Sequence, residues 1–518
     1  ARKLLLTALA ALLALSLTPA TAPAEDGVLD PSFGGDGRVL VDLPFASPTA
    51  MAIDSKGRIV VAALAVRPMS SWSQVIRLNP DGSLDQSFGQ GGIVETDSLA
   101  GERFLSVAID EADRIVLGGN VGGFMTRPDF AVTRLLEDGR RDMAFAGDGL
   151  FTFDEGGGAA LALDGQGGIL LAGGTRTEEG WVQMAVLRVT PAGFLDTDFG
   201  SGGIAVASSP GFAESAGRAI AVGPGDRVLV AGSTGYVRPW HFAIAGFDAL
   251  GNPDPAFGGG TSIHFGVFPD EEAANGVVVD PQGRIVLAGD SREEFALAAR
   301  LLPDGSMDPS FAGDGTLVLS LPGVAGLNGA AIDAAGRILL TGGLFEGMFG
   351  DMFLARLRED GSFDGSFGAG GLVREDFSGP YASGEDLAVD AAGRYLVMGR
   401  ASGVEGTIAL ARYLNGAQPP PGPAQAPRCR GKQATIAGTA GPDRLRGTRG
   451  RDVVVALGGN DRIRAFAGRD LICAGAGRDL VRAGKGNDTV FGGPGADRIF
   501  GGPGKDRLRG GPGRDVER

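Results

Sequence analysis

Nine aspartates recur at every ninth position near the C-terminus, and each has a glycine two residues before it. Glycine lets a backbone turn tightly and direct its carbonyl oxygens inward, and each aspartate adds a carboxylate. Hard oxygen ligands at flexible spacing suit Ca²⁺. The spacing therefore predicts a stack of turns that binds calcium ions. The aspartates are Asp443, Asp452, Asp461, Asp470, Asp479, Asp488, Asp497, Asp506 and Asp515.

These units resemble the RTX, or haemolysin-type, calcium-binding nonapeptide GGxGxDxUx. A good copy reads Gly492-Gly493-Pro494-Gly495-Ala496-Asp497, and an apolar residue lies two positions after each of the first eight aspartates. The resemblance implies a parallel β-roll over residues 433–518 with Ca²⁺ between its turns. The expected calcium ligands are Asp443, Asp452, Asp479, Asp488, Asp497, Asp506, Asp515, Gly486, Gly493, Gly495, Gly502, Gly504, Gly511 and Gly513.

Two of the copies depart from the nonapeptide pattern. Ala456-Leu457 and Ala465-Phe466 stand where the glycine pair belongs, so Asp461 and Asp470 are left out of the expected ligands. Arg or Lys precedes several aspartates, and nearby positive charge weakens the attraction for Ca²⁺. A metal-free solenoid whose aspartates pair with arginines is the alternative interpretation. A core one residue thick can hardly fold unaided, which favours folding coupled to metal binding.

The chain has two cysteines, Cys429 and Cys473. In an oxidising compartment such a pair is expected to be bridged. Closing that loop would contribute roughly 3–4 kcal/mol in the chain-entropy model. The bridge would connect the start of the C-terminal repeats to their middle.

Charge is divided unevenly along the chain. Residues 428–518 carry 19 Lys and Arg against 10 Asp and Glu, a net of +9, whereas residues 25–427 carry 26 against 52, a net of −26. The acidic part is unsuited to nucleic acid, whose binding needs clustered cations. Arginines spaced by nine are expected to line up along a solenoid. The basic part therefore predicts a stripe for anionic polymers, such as those of a cell envelope.

A longer period occupies the N-terminal part. The signature D-x-S/D-F-G, or a close variant, recurs seven times at intervals of 54 to 58 residues, and each interval holds four short strand patterns separated by Gly/Asp turns. The second strand of each unit is apolar throughout, which predicts burial on both faces. Four-stranded units of this kind predict an all-β, seven-bladed β-propeller. The signature phenylalanines are Phe33, Phe88, Phe145, Phe199, Phe257, Phe311 and Phe367.

The two ends of this array are complementary. It opens with a lone strand near residues 37–43 and ends with three strands near residues 387–414, so the first strand can complete the last unit and remove both sheet edges. Over residues 28–415 the units resemble the delta-60 repeat family of β-propeller-like proteins. Gly223-Pro224-Gly225-Asp226 departs from that pattern in the fourth copy. The resemblance implies a fold and no particular chemistry.

Loops of variable length between the second and third strands carry the aromatic residues Trp72, Trp181, Tyr236 and Trp240. They predict a ligand face for extracellular glycans or peptides. In the alternative interpretation each tryptophan packs at the start of the third strand, where several copies have Phe. No G-x-S-x-G, H-E-x-x-H or Walker motif occurs, so no catalytic residue is predicted.

The first 24 residues read as a signal peptide, with Arg2 and Lys3 before an apolar run and small residues at its end. No segment reaches the length of a membrane span. The expected domains are the signal peptide at 1–24, a propeller at 25–416, a Pro-rich linker at 417–432 and the β-roll at 433–518.

These features predict a secreted, extracellular protein that associates with the cell surface and is a non-enzymatic binding or structural protein. An exported propeller enzyme of hydrolase or lyase type, and an RTX-type adhesin or toxin, are the alternatives.

Overall fold

A computed structural model describes residues 26–416 and 428–517, apart from 44, 68–69, 97–100, 123–127, 155, 178–179, 213, 236–239, 268–270, 292–294, 320, 322, 347–348, 378–380, 403–405, 431, 439–442 and 458. The chain divides into two compact units between residues 417 and 418. The described residues form strands, turns and two short 3-10 turns, Pro224–Asp226 and Gly258–Gly260, with no α-helix among them. None of their helical segments could therefore cross a membrane. The expected signal peptide and most of the expected linker lie outside the described residues.

The described residues of the first unit form 28 strands. They are β1 (Arg38–Asp42), β2 (Ala46–Ile53), β3 (Ile59–Arg67), β4 (Ser70–Leu78), β5 (Ile93–Glu95), β6 (Arg103–Ile109), β7 (Ile115–Val121), β8 (Asp129–Leu135), β9 (Leu150–Phe153), β10 (Gly156–Leu163), β11 (Ile169–Arg176), β12 (Val182–Val189), β13 (Ile204–Val206), β14 (Glu214–Gly223), β15 (Arg227–Gly235), β16 (Trp240–Phe247), β17 (Ile263–Phe265), β18 (Glu272–Val279), β19 (Ile285–Ser291), β20 (Ala296–Leu301), β21 (Thr316–Leu319), β22 (Val324–Ile332), β23 (Ile338–Glu346), β24 (Phe349–Leu357), β25 (Leu372–Glu375), β26 (Tyr381–Val389), β27 (Tyr395–Ser402) and β28 (Thr407–Tyr413).

These strands form four-stranded antiparallel sheets in chain order, from β2–β5 to β18–β21. The remaining eight strands form one sheet, in which β22–β25 and β26–β28 with β1 meet through a single pairing of Gly350 with Tyr381. As predicted, β1 pairs with β28, so the first strand of the chain completes the last group. The first strands of successive groups contact one another in a closed series, β2, β6, β10, β14, β18, β22, β26 and again β2. This all-β arrangement of four-stranded sheets is that of a β-propeller.

The D-x-x-G segments are tight turns between the first and second strands. In the first, Gly57 has a φ of 75°, a conformation that favours glycine. The carboxylate of Asp54 accepts hydrogen bonds from the backbone N–H groups of Lys56 and Arg58 at 2.9 Å. The repeated aspartates therefore cap turns, and their recurrence in each unit has a structural cause.

An arginine on the third strand links the two sequence signatures in six of the seven repeats. Arg300 is 2% exposed, donates to Asp308 at 2.7 Å and lies 5.0 Å above the ring of Phe311. A second nitrogen of Arg300 donates to the backbone carbonyl of Glu359, in the turn of the following repeat. Equivalent arginines stack on the signature phenylalanine in six copies, at Arg77, Arg134, Arg188, Arg300, Arg356 and Arg412.

In the fourth copy an arginine from a different strand pairs with the turn aspartate. Gly246 occupies the place of the arginine, and a Cβ there would lie 2.6 Å from the ring of Phe257. Arg227, from the start of the second strand, instead pairs with Asp254 at 2.7 Å and donates to the carbonyl of Pro303 in the next repeat at 2.6 Å. The Asp–Arg–next-turn connection is therefore kept although the residue that provides it has changed.

The second unit is a parallel β-solenoid of two facing sheets. Its strands are β29 (Arg428–Cys429), β30 (Lys432–Gln433), β31 (Ile436–Ala437), β32 (Arg444–Arg446), β33 (Val453–Val455), β34 (Arg462–Arg464), β35 (Ala467–Gly468), β36 (Leu471–Cys473), β37 (Leu480–Arg482), β38 (Lys485–Gly486), β39 (Thr489–Phe491), β40 (Arg498–Phe500), β41 (Arg507–Arg509) and β42 (Val516–Glu517). One sheet has the order β31-β33-β36-β39-β41 and the other β32-β34-β37-β40-β42.

Residues eighteen apart pair across neighbouring strands, such as Val454 with Ile472 and Ile463 with Val481. Each coil therefore contains two nonapeptides, and residues nine apart lie on opposite sheets. The expectation that arginines nine residues apart line up is wrong for this reason. Between the sheets lies a thin core of buried aliphatic side chains: Val454, Ala456, Ile463, Ala465, Ile472, Ala474, Val481, Ala483, Val490 and Ile499.

A disulfide joins Cys429 to Cys473. Cys429 is fully buried against Val453 and Val455, on the outer face of the sheet that contains β33 and β36. The short hairpin of β29 and β30 is thereby attached to that face. In a loop of this size the bridge limits the freedom of the unfolded chain.

We expect Arg300→Ala to lower the free energy of unfolding of the propeller by about 3–5 kcal/mol, because it leaves the buried carboxylate of Asp308 unpaired. Arg140→Ala is the control, since the Arg140 side chain is 78% exposed and pairs only with Asp138. That change should alter stability by no more than about 0.5 kcal/mol. Scanning calorimetry measures both, and equal effects of the two changes would contradict the structural role of Arg300.

Candidate functional site

The turns of the β-solenoid stack too closely for side chains at their glycines. A Cβ on Gly495 would lie 1.6 Å from the carbonyl oxygen of Gly477, and one on Gly504 would lie 1.5 Å from that of Gly486. These positions also have φ values of 152° and 155°, which L side chains rarely adopt. The glycines therefore bring the backbone carbonyl groups of successive coils close together along each edge of the solenoid.

One oxygen of each carboxylate holds the coils in register. The Oδ1 atom of Asp479 accepts a hydrogen bond from the backbone N–H of Asp461 at 2.8 Å, and Asp497 accepts from Asp479 at 2.9 Å. The same bond, at 2.8–3.0 Å, links each aspartate from Asp461 to Asp515 to the aspartate eighteen residues earlier. This ladder fixes the orientation of the carboxylates.

The other carboxylate oxygen is buried and has no hydrogen-bond donor in five of these residues: Asp461, Asp470, Asp479, Asp488 and Asp497. Their side chains are at most 1% exposed. A buried carboxylate oxygen without a partner is costly, because burial removes it from water. None of the five forms an ion pair in the part of the chain that the structure describes, so the arginine-paired alternative does not apply to them. A cation is the natural partner for such an oxygen.

The surroundings of the aspartates in the middle turns disfavour their negative charge. Burial raises the pKa of Asp470 and of Asp479 to about 6, and the carboxylates eighteen residues away on either side act in the same direction. Burial also raises the pKa of Asp461, Asp488 and Asp497. At neutral pH these aspartates are held charged against an unfavourable environment, which either protons or a divalent cation would relieve.

The donor set fits Ca²⁺. Within the described residues no three acidic, histidine or cysteine side chains converge on a point, so a cation in the roll would be bound by single carboxylates together with turn carbonyls. Carboxylate and carbonyl oxygens are the ligands that Ca²⁺ prefers. When bound, the ion supplies positive charge to the buried carboxylates.

Asp461 and Asp470, which the sequence interpretation left out, have the same buried environment as the expected ligands. Leu457 and Phe466 occupy the glycine position of their turns with φ values of 72° and 73°. The backbone keeps its shape there at the cost of local strain. Asp461 and Asp470 therefore differ from Asp479, Asp488 and Asp497 in the sequence of their turns and not in the burial of their carboxylates.

Asp452 differs from the other aspartates, because its Oδ2 atom accepts a hydrogen bond from the backbone N–H of Thr448 at 2.7 Å. Asp443, Asp506 and Asp515, at the ends of the solenoid, are only partly buried. The unpartnered oxygens therefore concentrate in the middle coils.

The predicted aromatic face of the propeller is dispersed over different sheets. Trp72 lies within β4 and is 8% exposed, so it is not a loop residue. Trp181 precedes β12 and is 39% exposed, and Trp240 is the first residue of β16. Tyr236 lies outside the described residues. Trp72 therefore packs in the sheet, whereas Trp181 is exposed and Trp240 is half-buried.

Sequence reasoning missed a ring of β-bulges. Each first strand of a four-stranded group has a register shift at the same place, which leaves one extra residue there. A bulge redirects side chains and is common beside functional sites. The signal was absent from the sequence, because the residue type at the bulge varies: Thr49, Leu105, Ala159, Arg218, Asn275, Asn328 and Glu385.

The polar bulge residues connect neighbouring groups. Arg218 donates to Asn275 at 3.2 Å, and Asn328 donates to the carbonyl of Gly384 at 2.8 Å. Next to the last bulge, Asp386 accepts a hydrogen bond from the backbone N–H of Met51 at 2.8 Å.

Three partly buried acidic side chains at or beside the bulges have raised pKa values. Burial raises the pKa of Asp386 to about 6, and it also raises the pKa of Asp290 and Glu385. Glu385 and Asp386 lie on the first strand β26, whereas Asp290 lies on the second strand β19 and accepts a hydrogen bond from the bulge residue Asn275 at 3.3 Å.

In chelator, the β-solenoid should become more stable as the pH falls from about 7 to 4. The pKa values of Asp470 and Asp479 are raised to about 6 in the folded state, so the folded chain binds protons that the unfolded chain, with an ordinary pKa of about 3.9, does not. The gain is on the order of 2 kcal/mol for each of these aspartates. Calorimetry in chelator across this pH range measures it.

Asp479→Asn should reduce that pH dependence, whereas Asp314→Asn, at an exposed turn of the propeller, should leave it unchanged. A solenoid that loses stability as the pH falls through this window would contradict the raised pKa values.

Family comparisons agree with these two units. The family described as RTX calcium-binding nonapeptide repeat (4 copies) matches residues 435–461, 446–481 and 482–517. The family described as domain of unknown function (DUF5122) beta-propeller matches residues 57–88 and 281–311. None of the curated proteins matches the sequence of this chain.

Solved structures similar to the chain include a catalytically inactive virginiamycin B lyase from Staphylococcus aureus, with 11% identity and a TM-score of 0.43, covering 73% of this chain and 99% of that one. Polysaccharide lyase Uly1 has 10% identity and a TM-score of 0.40, and the match covers 76% of this chain and 98% of the lyase chain. Sqt1 of Chaetomium thermophilum has 12% identity and a TM-score of 0.40, and the match covers 76% of this chain and 98% of the Sqt1 chain. Identities this low carry no activity over to this chain.

The two family matches confirm the resemblances found in the sequence: the chain carries RTX calcium-binding nonapeptide repeats at its C-terminus, and a β-propeller of the DUF5122 type, with which delta-60 repeats agree, precedes them.

Proposed function

We propose that this is an exported binding protein whose C-terminal roll is stabilised by calcium and whose seven-bladed propeller presents a ligand-binding surface. The observation that carries the proposal is the set of five buried carboxylate oxygens without hydrogen-bond donors. They lie in the residues that match a calcium-binding family. Calcium-dependent stability of the roll follows from the chemistry of this set.

The ions would be held by the five aspartates Asp461, Asp470, Asp479, Asp488 and Asp497 together with carbonyl oxygens of the glycine-rich turns. Expected ligands nearer the ends, Asp443, Asp452, Asp506 and Asp515, are less buried or already hydrogen-bonded. Since metal binding to such a thin core is coupled to folding, calcium removal should lower the melting temperature of the roll and leave that of the propeller unchanged.

Seven blades with a closed ring are supported by bonds between the ends of the propeller. Arg412 donates to the carbonyl of Pro80, and Arg356 binds the carboxylate of Asp26 at 2.8 Å. Together with the pairing of β1 and β28, these contacts connect the last repeats to the first. A closed propeller is a rigid scaffold, and rigid scaffolds position the loops that bind ligands.

A non-enzymatic function is supported by the distribution of polar residues in the propeller: the repeated aspartates cap turns, and the tryptophans lie on separate sheets. The ligand would be an extracellular glycan or peptide bound through loops such as those that carry Trp181 and Trp240. Export, with residues 1–24 as the signal peptide, agrees with the RTX repeats and with the disulfide. The expected linker at 417–432 would instead end before the hairpin of β29 and β30, which belongs to the roll.

An exported hydrolase or lyase is the second candidate function, because Asp290 on β19 and Glu385 and Asp386 on β26 have raised pKa values. Turnover of a glycan that Glu385→Gln abolishes without changing the melting temperature would favour this enzyme. Binding of the same glycan without turnover favours the binding protein.

Calorimetry of the full chain with increasing calcium tests the proposal. The melting temperature of one unfolding transition should rise with calcium, while that of the other stays fixed. At a calcium concentration one hundred times the dissociation constant, the free energy of unfolding of the roll should increase by about 2.7 kcal/mol. Asp470→Asn with Asp479→Asn should shrink that rise, and Asp138→Asn on the propeller should leave it intact. A thermogram insensitive to both calcium and chelator would refute calcium-dependent stability.

A further inference from the structure

The two sheets of the roll have different outer faces. In the sheet that contains β33, β36 and β39, Val453, Val455 and Phe491 pack with Cys429. In the sheet that contains β32, β34, β37 and β40, the outward positions hold six exposed arginines, which we call the arginine face. Its members are Arg444, Arg446, Arg462, Arg464, Arg482 and Arg498.

The strand register places these arginines in two columns. Arg444 pairs directly with Arg462, Arg446 with Arg464, and Arg464 with Arg482. Neighbouring strands lie about 4.8 Å apart, so like charges face one another along each column. Such pairs are destabilising. None of the six arginines forms an ion pair with a described residue, and the other outward positions of the described strands in this sheet hold Leu480, Phe500 and Val516.

Aromatic rings hold several of the guanidinium groups in place. Phe466 lies 4.8 Å from the guanidinium carbon of Arg464 and 5.6 Å from that of Arg446. Phe500 lies 5.9 Å from that of Arg482. Stacking on a ring limits the freedom of an arginine, so less entropy is lost when it binds an anion.

Phe466 is placed under these arginines at a cost. It has a φ of 73° at a turn position where five other copies have glycine. A large side chain in this conformation strains the backbone, and such strain is common where a residue has a functional task. The strain and the uncompensated charge therefore occur at the same place.

We propose that the arginine face binds a linear anionic polysaccharide, with its carboxylate or sulfate groups paired to successive guanidinium groups. The planar fork of arginine matches such groups with two parallel hydrogen bonds. A chain laid along the columns would meet charges of one sign on every coil from β32 to β40. Phe466 and Phe500 are partly buried beneath guanidinium groups, so the face offers no open platform for nucleic-acid bases.

This inference goes beyond the calcium-dependent stability proposed above and requires only that the roll is folded. The full chain in saturating calcium is titrated with heparin, as a sulfated probe, and with polygalacturonate, as a carboxylated one. Arg444→Gln, Arg462→Gln and Arg464→Gln are combined in one variant. Arg451→Gln, Arg469→Gln and Arg478→Gln, which are exposed turn residues, are combined in a control with the same change of net charge.

The first variant should lose at least tenfold in affinity for one of the probes, and the control less than threefold. Equal losses would overturn the proposal in favour of attraction by net charge alone. Tighter binding of single-stranded DNA than of either probe would also overturn it, as would failure of the unaltered chain to bind at physiological salt. The calcium-dependent melting transition of each variant shows separately whether the roll is folded.

Phe466→Gly tests the positioning of the arginines. Both Phe466→Gly and Leu457→Gly remove a side chain from a strained turn position, but only Phe466 stacks on arginines of the face. We expect Phe466→Gly to weaken probe binding several-fold and Leu457→Gly to leave it unchanged, with the roll folded in both. Equal affinities of the two variants would overturn the assignment of Phe466 as a positioning residue.

Discussion

The ion pair between an arginine and the turn aspartate of each propeller repeat is the interaction on which the fold depends. In Arg77, for example, one nitrogen binds Asp85 at 2.8 Å, the guanidinium lies 4.4 Å above Phe88, and another nitrogen reaches the carbonyl of Glu137 in the next repeat. One side chain thus fixes a turn within its own repeat and the distance to the following one. Apolar strands alone do not fix register between stacked sheets, since their packing is non-directional. A buried ion pair adds that direction even where its net contribution to stability is small.

In the described part of the roll, the buried carboxylates of the middle coils have no arginine partner. The core of the roll is thin, and its turns approach so closely that a Cβ on Gly486 would lie 1.6 Å from the carbonyl oxygen of Gly468. The aspartate ladder that keeps the coils in register also buries a carboxylate oxygen on each middle coil. The buried turn carboxylates of the propeller, such as Asp85 and Asp308, pair with arginines, whereas the five buried carboxylates in the middle of the roll do not pair with any described arginine. We therefore expect the stability of the roll to depend on protons or metal ions from the solvent.

Much of this arrangement could be predicted from the sequence because it repeats. The nine-residue register of aspartates predicted the roll, and the phenylalanine signature predicted four-stranded units whose first strand completes the last group. The pairing of residues could not be predicted in the same way. A period of nine is compatible with coils of nine or of eighteen residues, and only the pairing of Val454 with Ile472 distinguishes them. The arginine face depends on that distinction, because arginines nine apart lie on opposite sheets.

The β-bulges were also invisible in the sequence, since Leu105 and Glu385 occupy equivalent places and share no chemistry. Backbone geometry is repeated there while the side chain is free to vary. The departures from the repeat pattern are informative for the same reason. Gly246 occupies the position of the usual arginine, and Arg227 on another strand forms the ion pair with Asp254 instead. That ion pair is therefore a requirement of the fold. Phe466 replaced a glycine that the turn favours, with no comparable compensation in the backbone. A departure that the structure repairs identifies what stability needs. The unrepaired strain at Phe466 coincides with the arginine face, whereas the equal strain at Leu457 does not, so stacking on the arginines distinguishes the two positions.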